Sequence, residues 1–177
     1  MFSDDYYRRT KVERNVDFFM ENQEFGAVHS DFVRLREDFT TEEGYWHQVY
    51  NATGFKIPVG RVFQDLIHSN FVCASSLLVR REYFHRSFDF DLFAKRDYRM
   101  GDYPALLILS QMTKIGYIDE PLVFYRELEV SMSHSPEPGE RRALLRAVDR
   151  VKQDARLGLL QSSTVPTLNQ KAPALVG

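Results

Sequence analysis

Three acidic residues and one arginine carry the chemistry that this sequence offers. Asp4 and Asp5 stand side by side within Ser3-Asp4-Asp5. Adjacent carboxylates just ahead of a helix suit a hard divalent cation, which takes oxygen ligands and keeps room for phosphate oxygens. The plainer reading is a helix cap, the commoner role of an acidic residue at such a place. Asp102, in Gly101-Asp102-Tyr103-Pro104, opens a predicted helix. It too reads first as a cap, and becomes a general base if a cleft brings a substrate hydroxyl within hydrogen-bond reach. Arg126 ends a predicted buried strand, where a guanidinium wants a carboxylate or phosphate partner. His29, His47, His68, His85 and His134 show no metal-ligand spacing. Cys73 is the only cysteine, which excludes an internal disulfide and argues against a thiolate zinc site.

The elements that must position these groups are legible in outline. Val12, Val16, Phe19 and Met20 recur on one helical stripe, so a first helix is predicted with Asp4 or Asp5 at its cap and Asn22-Gln23 at its end. Phe25 to His29 reads as a short buried strand closing on Ser30-Asp31. Arg34 to Phe55, polar with scattered Tyr45, Trp46 and Tyr50, reads as a long connection holding one irregular helix. A second helix is expected over Gly60 to Ser69, a core strand over Phe71 to Arg80, and a helical turn over Arg81 to Arg86 followed by a Phe88–Asp91 loop. Asp102 to Thr113 is a third helix, with Ala105, Ile108, Leu109 and Met112 on one face. Gly116–Asp119 and Leu122–Arg126 read as two short strands around Glu120-Pro121. Ser135-Pro136 is a helix-start signal, and the helix is expected to run to about Leu160 with Leu144, Leu145, Val148 and Val151 inward. Alternating helices and strands place the chain in the α/β class. The expected division is a domain over 1–135, an amphipathic helix over 136–160 and a disordered tail over 161–177.

Composition narrows the function. The chain has 177 residues, 44% of them hydrophobic and 27% charged, which suits one packed domain rather than a disordered chain. A net charge of -2 argues against a dedicated nucleic-acid binder, so no nucleic-acid partner is expected. Met1 to Thr10 is polar and charged, unlike a secretory signal, and no apolar run is long enough to span a bilayer. These features lead to the expectation of a cytoplasmic protein. The C-terminal helix carries six basic residues against four acidic ones between Glu137 and Arg156. Because the excess is small, a solvated face is favoured over contact with the anionic inner face of a membrane.

Taken in order, the segments resemble a family 2 glycosyltransferase of the GT-A fold. Ser3-Asp4-Asp5-Tyr6-Tyr7 followed by KVERNVDFFMENQEFGAVHSD is similar to the stretch from the acidic metal motif through a helix into the next strand. NFVCASSLLVRREYF resembles the strand and turn before the acceptor side. FDFDLF and GDYPALLILSQMTKIGYIDEPLVFYR resemble the downstream acceptor block, so that the likeness covers Met1 to about Ser135. It implies a mixed sheet with flanking helices and transfer of a sugar, with inversion, from a nucleotide-diphosphate sugar to a glycan or lipid-linked acceptor. The activity belongs to polysaccharide and cell-wall synthesis. The resemblance makes Asp4 and Asp5 ligands of a divalent metal (Mn or Mg), Asp102 the general base, and Arg126 a supporting group on the donor side. Tyr83, Phe84 and Tyr103 are offered as faces for a sugar ring, with core packing as the alternative.

The sequence departs from the family pattern at Phe2, which stands at the first acidic position of the metal motif. It departs again at Gly101, in place of an acidic neighbour of the base, and at Leu128, in place of a histidine for which His134 is a distant substitute. The family's N-terminal nucleotide-binding strands have no counterpart here. The expectation is therefore an open sheet edge, a partner supplying those strands, and weak nucleotide-sugar binding by the chain alone. The alternative function is a non-catalytic interaction module that pairs through that edge.

Overall fold

The computed structural model describes residues 5–35, 44–127 and 137–161. They form a mixed α/β fold in which a four-stranded sheet is flanked by helices. The strands are β1 (Tyr6–Tyr7), β2 (Phe25–Leu35), β3 (Leu78–Val79) and β4 (Lys114–Arg126), arranged β1-β4-β2-β3. The two long strands, β2 and β4, run parallel, and each short one is antiparallel to its neighbour. A parallel pair needs a crossover. Here it contains α2 (Tyr45–Thr53), α3 (Phe63–His68), α4 (Arg81–Ser87), α5 (Phe90–Lys95) and α6 (Asp102–Met112). Helix α1 (Lys11–Glu21) precedes β2, and α7 (Pro138–Arg156) follows the sheet.

Several expectations are revised. The two strands expected around Glu120-Pro121 are one strand with an irregular register. Ser30 pairs with Ile118, Asp31 with Pro121 and Phe32 with Val123, so Asp119, Glu120 and Leu122 are extra residues on β4. Proline lacks a ladder N–H and is tolerated at such a bulge. The core strand expected over Phe71 to Arg80 is a 3-10 turn at Ala74–Ser76 followed by the two-residue β3. The loop expected at Phe88–Asp91 holds only for its first half, since α5 starts at Phe90, where the Asp89 carboxylate accepts the Leu92 N–H at 3.0 Å. Helix α7 begins on Pro138; Ser135-Pro136, and the tail beyond Gln161, lie outside the described residues. Its fully buried residues are Ala147, Val151 and Ala155; of the residues expected inward, Val151 is buried, Val148 packs against the core, Leu144 is half-buried and Leu145 is exposed.

The first helix shows the largest difference. It starts at Lys11 behind Thr10, so Asp5 does not cap it. Most of its predicted stripe faces outward: Val12, Val16 and Met20 are 65%, 46% and 71% exposed, while Phe19 is half-buried with the Arg80 guanidinium 4.6 Å over its ring. The buried positions are Lys11 and Asn15. A Cβ on Gly116 would lie 2.2 Å from the Phe18 ring, so the glycine makes a notch in β4 that takes this ring. Phe18 also meets Phe25 edge-on at 5.4 Å. Seating one large ring in a notch sets the rotation of the helix, and the aliphatic stripe turns away from the sheet.

The core lies on the α3–α6–α7 side. Tyr103 to Ser110 of α6 are all buried, so this helix is apolar nearly all round, as a central helix must be. Leu66 and Ile67 of α3, Ile115 of β4 and Val151 of α7 belong to the same core.

Candidate functional site

A cavity of about 870 Å3 opens where β2 and β4 end, lined by Phe32 and Arg34 on one strand, by Tyr125 on the other and by Glu127 just beyond it. Ligands of open α/β sheets bind at these carboxyl ends. The same cavity takes in Asp5 and Asp102, two acidic residues far apart in sequence.

Asp5 is held from two directions. One carboxylate oxygen accepts the Arg126 backbone N–H at 2.9 Å, and the other accepts the Ser75 hydroxyl. Asp102, the first residue of α6, joins none of the side-chain hydrogen bonds or ion pairs of the described residues, and is only half-buried. A partner-free carboxylate in a cleft is available to a substrate hydroxyl. Arg126 contributes its N–H to Asp5, while its guanidinium lies 5.7 Å over the Tyr6 ring and does not line the cavity. Asp4, Leu128 and His134 lie outside the described residues.

Aromatic rings make up much of the wall. Phe32 stacks on Tyr45 at 4.9 Å and 21°, Trp46 meets Tyr45 edge-on at 4.8 Å, and Tyr125 meets Phe32 at 5.8 Å. The Arg34 guanidinium lies 5.4 Å over Tyr45 and bonds Glu127 at 2.5 Å, which puts a charged pair beside the rings. A second aromatic group comes from α4 and α5, where Phe84 and Phe88 stack at 4.6 Å. Of the three aromatic residues singled out for a sugar face, only Phe84 lines the cavity. Tyr103 is buried and donates its hydroxyl to the Leu66 carbonyl at 2.7 Å, and Tyr83 packs against the core.

The first aromatic group depends on Asp31, which the sequence did not mark. This carboxylate is 1% exposed and accepts backbone N–H bonds from Phe32 at 2.7 Å, Trp46 at 2.8 Å and His47 at 3.2 Å. It thus caps α2 from a strand and places Tyr45 and Trp46 at the cavity. Desolvation raises its pKa despite the three N–H donors. Gly44 makes the contact possible, because a Cβ there would fall 1.9 Å from an Asp31 oxygen. The Asp31 signal was weak in the sequence because two of the N–H groups it serves, those of Trp46 and His47, come from residues well downstream.

Cys73 also lines the cavity, but its thiol is pushed up to about 12 by desolvation and by the Asp5 carboxylate, which removes it as a nucleophile. Among the described residues no group of three or more His, Cys, Asp or Glu is arranged to hold a metal. Each Asp5 oxygen keeps a second lone pair beyond its hydrogen bond, so by donor type this residue fits a hard cation.

No protein-family model matches the chain, and no curated protein matches it. Among the described residues no helix is long and apolar enough to cross a membrane.

Proposed function

We propose that this chain is a glycosyltransferase of the family 2 kind on a GT-A-type sheet, with Asp102 as general base. One observation carries the reading: Asp5 and the partner-free Asp102 line a single cavity together with the rings of Phe32, Tyr45, Trp46 and Tyr125. Flat apolar faces beside carboxylates suit a sugar ring, which has apolar C–H faces and hydroxyl edges. The four-stranded mixed sheet with flanking helices is in keeping with that fold.

In this reading a glycan or lipid-linked acceptor places its hydroxyl on Asp102, which takes the proton. The oxygen attacks the anomeric carbon of the nucleotide-diphosphate sugar, and the bond to the diphosphate breaks in line, with inversion. A divalent metal (Mn or Mg) held by Asp4 and Asp5 would supply Lewis-acid neutralisation of the diphosphate. Arg126 is then a positioning residue that orients Asp5 through its backbone N–H.

Trp46 is the only tryptophan, so its emission reports on the cavity. Titration with oligosaccharides is expected to change that emission. Transfer from a panel of nucleotide-diphosphate sugars with manganese is expected to fall at least about 100-fold in Asp102→Asn, while the emission response stays. Sugars that leave the emission unchanged, with no transfer, overturn the reading; so does transfer that Asp102→Asn leaves intact. The alternative, a non-catalytic interaction module, is favoured by the exposed aliphatic residues Val12, Val16 and Met20 of α1. It predicts partner binding that is indifferent to Asp102→Asn.

A further inference from the structure

A second cavity, of about 440 Å3, lies between β1 with the start of α1 and the α4–α6 region. Its size falls in the range of about 300–1,000 Å3 typical of small-molecule sites. Leu77, Leu78, Val79, Phe84 and Leu106 give it an apolar lining. Lys11 breaks that pattern. This lysine lines the cavity and is 8% exposed, yet none of the ion pairs or side-chain hydrogen bonds of the described residues involves it. Its ammonium rests 5.1 Å over the Tyr7 ring. Burial lowers its pKa from the ordinary lysine value. A buried cation without a carboxylate is costly, and an apolar methionine of similar length would fill the place without that cost.

The other charged groups lining the cavity are Arg8 and Asp102. Arg8 is exposed and donates from Nε to the Pro121 carbonyl at 2.7 Å. Two cations against one carboxylate leave the lining one positive charge in excess, which a single negative charge balances. We propose that this cavity binds an apolar carboxylate, a monoanion with a medium-length hydrocarbon chain. The carboxylate sits on Lys11 as a charge-assisted hydrogen-bond acceptor, and the chain lies along Leu77, Leu78, Val79 and Leu106. Val12 and Phe84, 65% and 42% exposed, line the same cavity and leave an apolar way in. The assignment does not depend on sugar transfer.

Calorimetry on the full chain with octanoate, octanol and octyl phosphate tests it, all three below their aggregation concentrations. Octanoate is expected to bind and to shift the methyl resonances of Leu77, Leu78 and Val79. Octanol and octyl phosphate are expected to bind at least about tenfold more weakly, because the first lacks the charge and the second carries too much. Lys11→Met is expected to remain folded and lose octanoate to a similar degree, and Lys11→Arg to recover part of it. Octanol binding as well as octanoate overturns the proposal without reference to any variant. So does tighter binding of octyl phosphate, or octanoate affinity unchanged in a folded Lys11→Met protein.

Discussion

At the scale of single residues, the groups that matter are those whose neighbours fail to satisfy them. Asp102 and Lys11 are two such groups, and His29 is a third. Its ring is fully buried between Phe71 and Tyr117, with centroids 6.0 and 5.1 Å away, and neither ring nitrogen has a hydrogen-bond partner among the described residues. Desolvation pushes its pKa down to about 3. The folded protein therefore keeps His29 neutral, while the unfolded chain takes up a proton near pH 6.5. The contribution of His29 is intact above that pH and is lost progressively as the pH falls from 6.5 towards 3. By pH 5 the loss is about 2 kcal/mol. Urea unfolding at pH 7 and pH 5 is expected to show this difference in the native sequence and to show most of it gone in His29→Phe. A pH dependence that the variant keeps in full counts against the account. Histidine spacing gave no metal-ligand pattern and said nothing of burial; His29 is buried by rings from Phe71, ahead of the 3-10 turn, and from Tyr117 on β4.

At the scale of elements, α2 is the piece on which the candidate site rests. Its N-terminus is capped by Asp31 across the crossover, and Gly44 gives the carboxylate its approach. Gly44→Ala is expected to drive a methyl into that carboxylate, to destabilise the fold by about 1–3 kcal/mol, and to expose Trp46 to water. Thermal unfolding and a red-shifted Trp46 emission measure the two effects. A variant with native melting temperature and emission shows that the Asp31–α2 contact does not hold the wall. The orientation of α1 is decided at the same scale. The spacing of Val12, Val16 and Met20 marks a helix, but the face that is buried carries Lys11, Asn15 and the Phe18 ring in the Gly116 notch. The choice between the two faces was made by that notch, roughly a hundred residues away.

At the scale of the whole molecule, stability is unevenly distributed. Strand β2 and helix α6 are buried almost throughout, and the long parallel pair carries the sheet. Helix α7 is joined to this body by the buried Ala147, Val151 and Ala155 and the half-buried Val148, by the Tyr98 hydroxyl on Asp154, by the Lys152 ammonium on the His68 carbonyl at 3.2 Å, and by the Arg96–Asp154 pair and the exposed Arg150–Asp97 pair. Three small buried side chains remove little apolar surface from water, and an exposed ion pair adds little. Hydrogen exchange is expected to show α7 opening at a lower free energy than β2 and α6, whose central amides exchange only through global unfolding. Equal protection of all three would mean that α7 belongs to the same cooperative unit.

The α/β class, the existence of α1, α3, α4, α6 and α7, and the chemical interest of Asp5 and Asp102 were determined by the sequence alone. Periodicity and end signals are local, and so are the residue types that can ionise or bind a metal. Only the tertiary structure decided which face of α1 is buried, that Lys114 to Arg126 forms one bulged strand, and that Phe71 to Arg80 turns instead of extending. It also brought Asp5, Asp102 and the rings of Phe32, Tyr45, Trp46 and Tyr125 to one cavity. The physical reason is the same in each case. A local pattern states what a segment can bury, whereas the partner it buries against comes from residues distant in the chain.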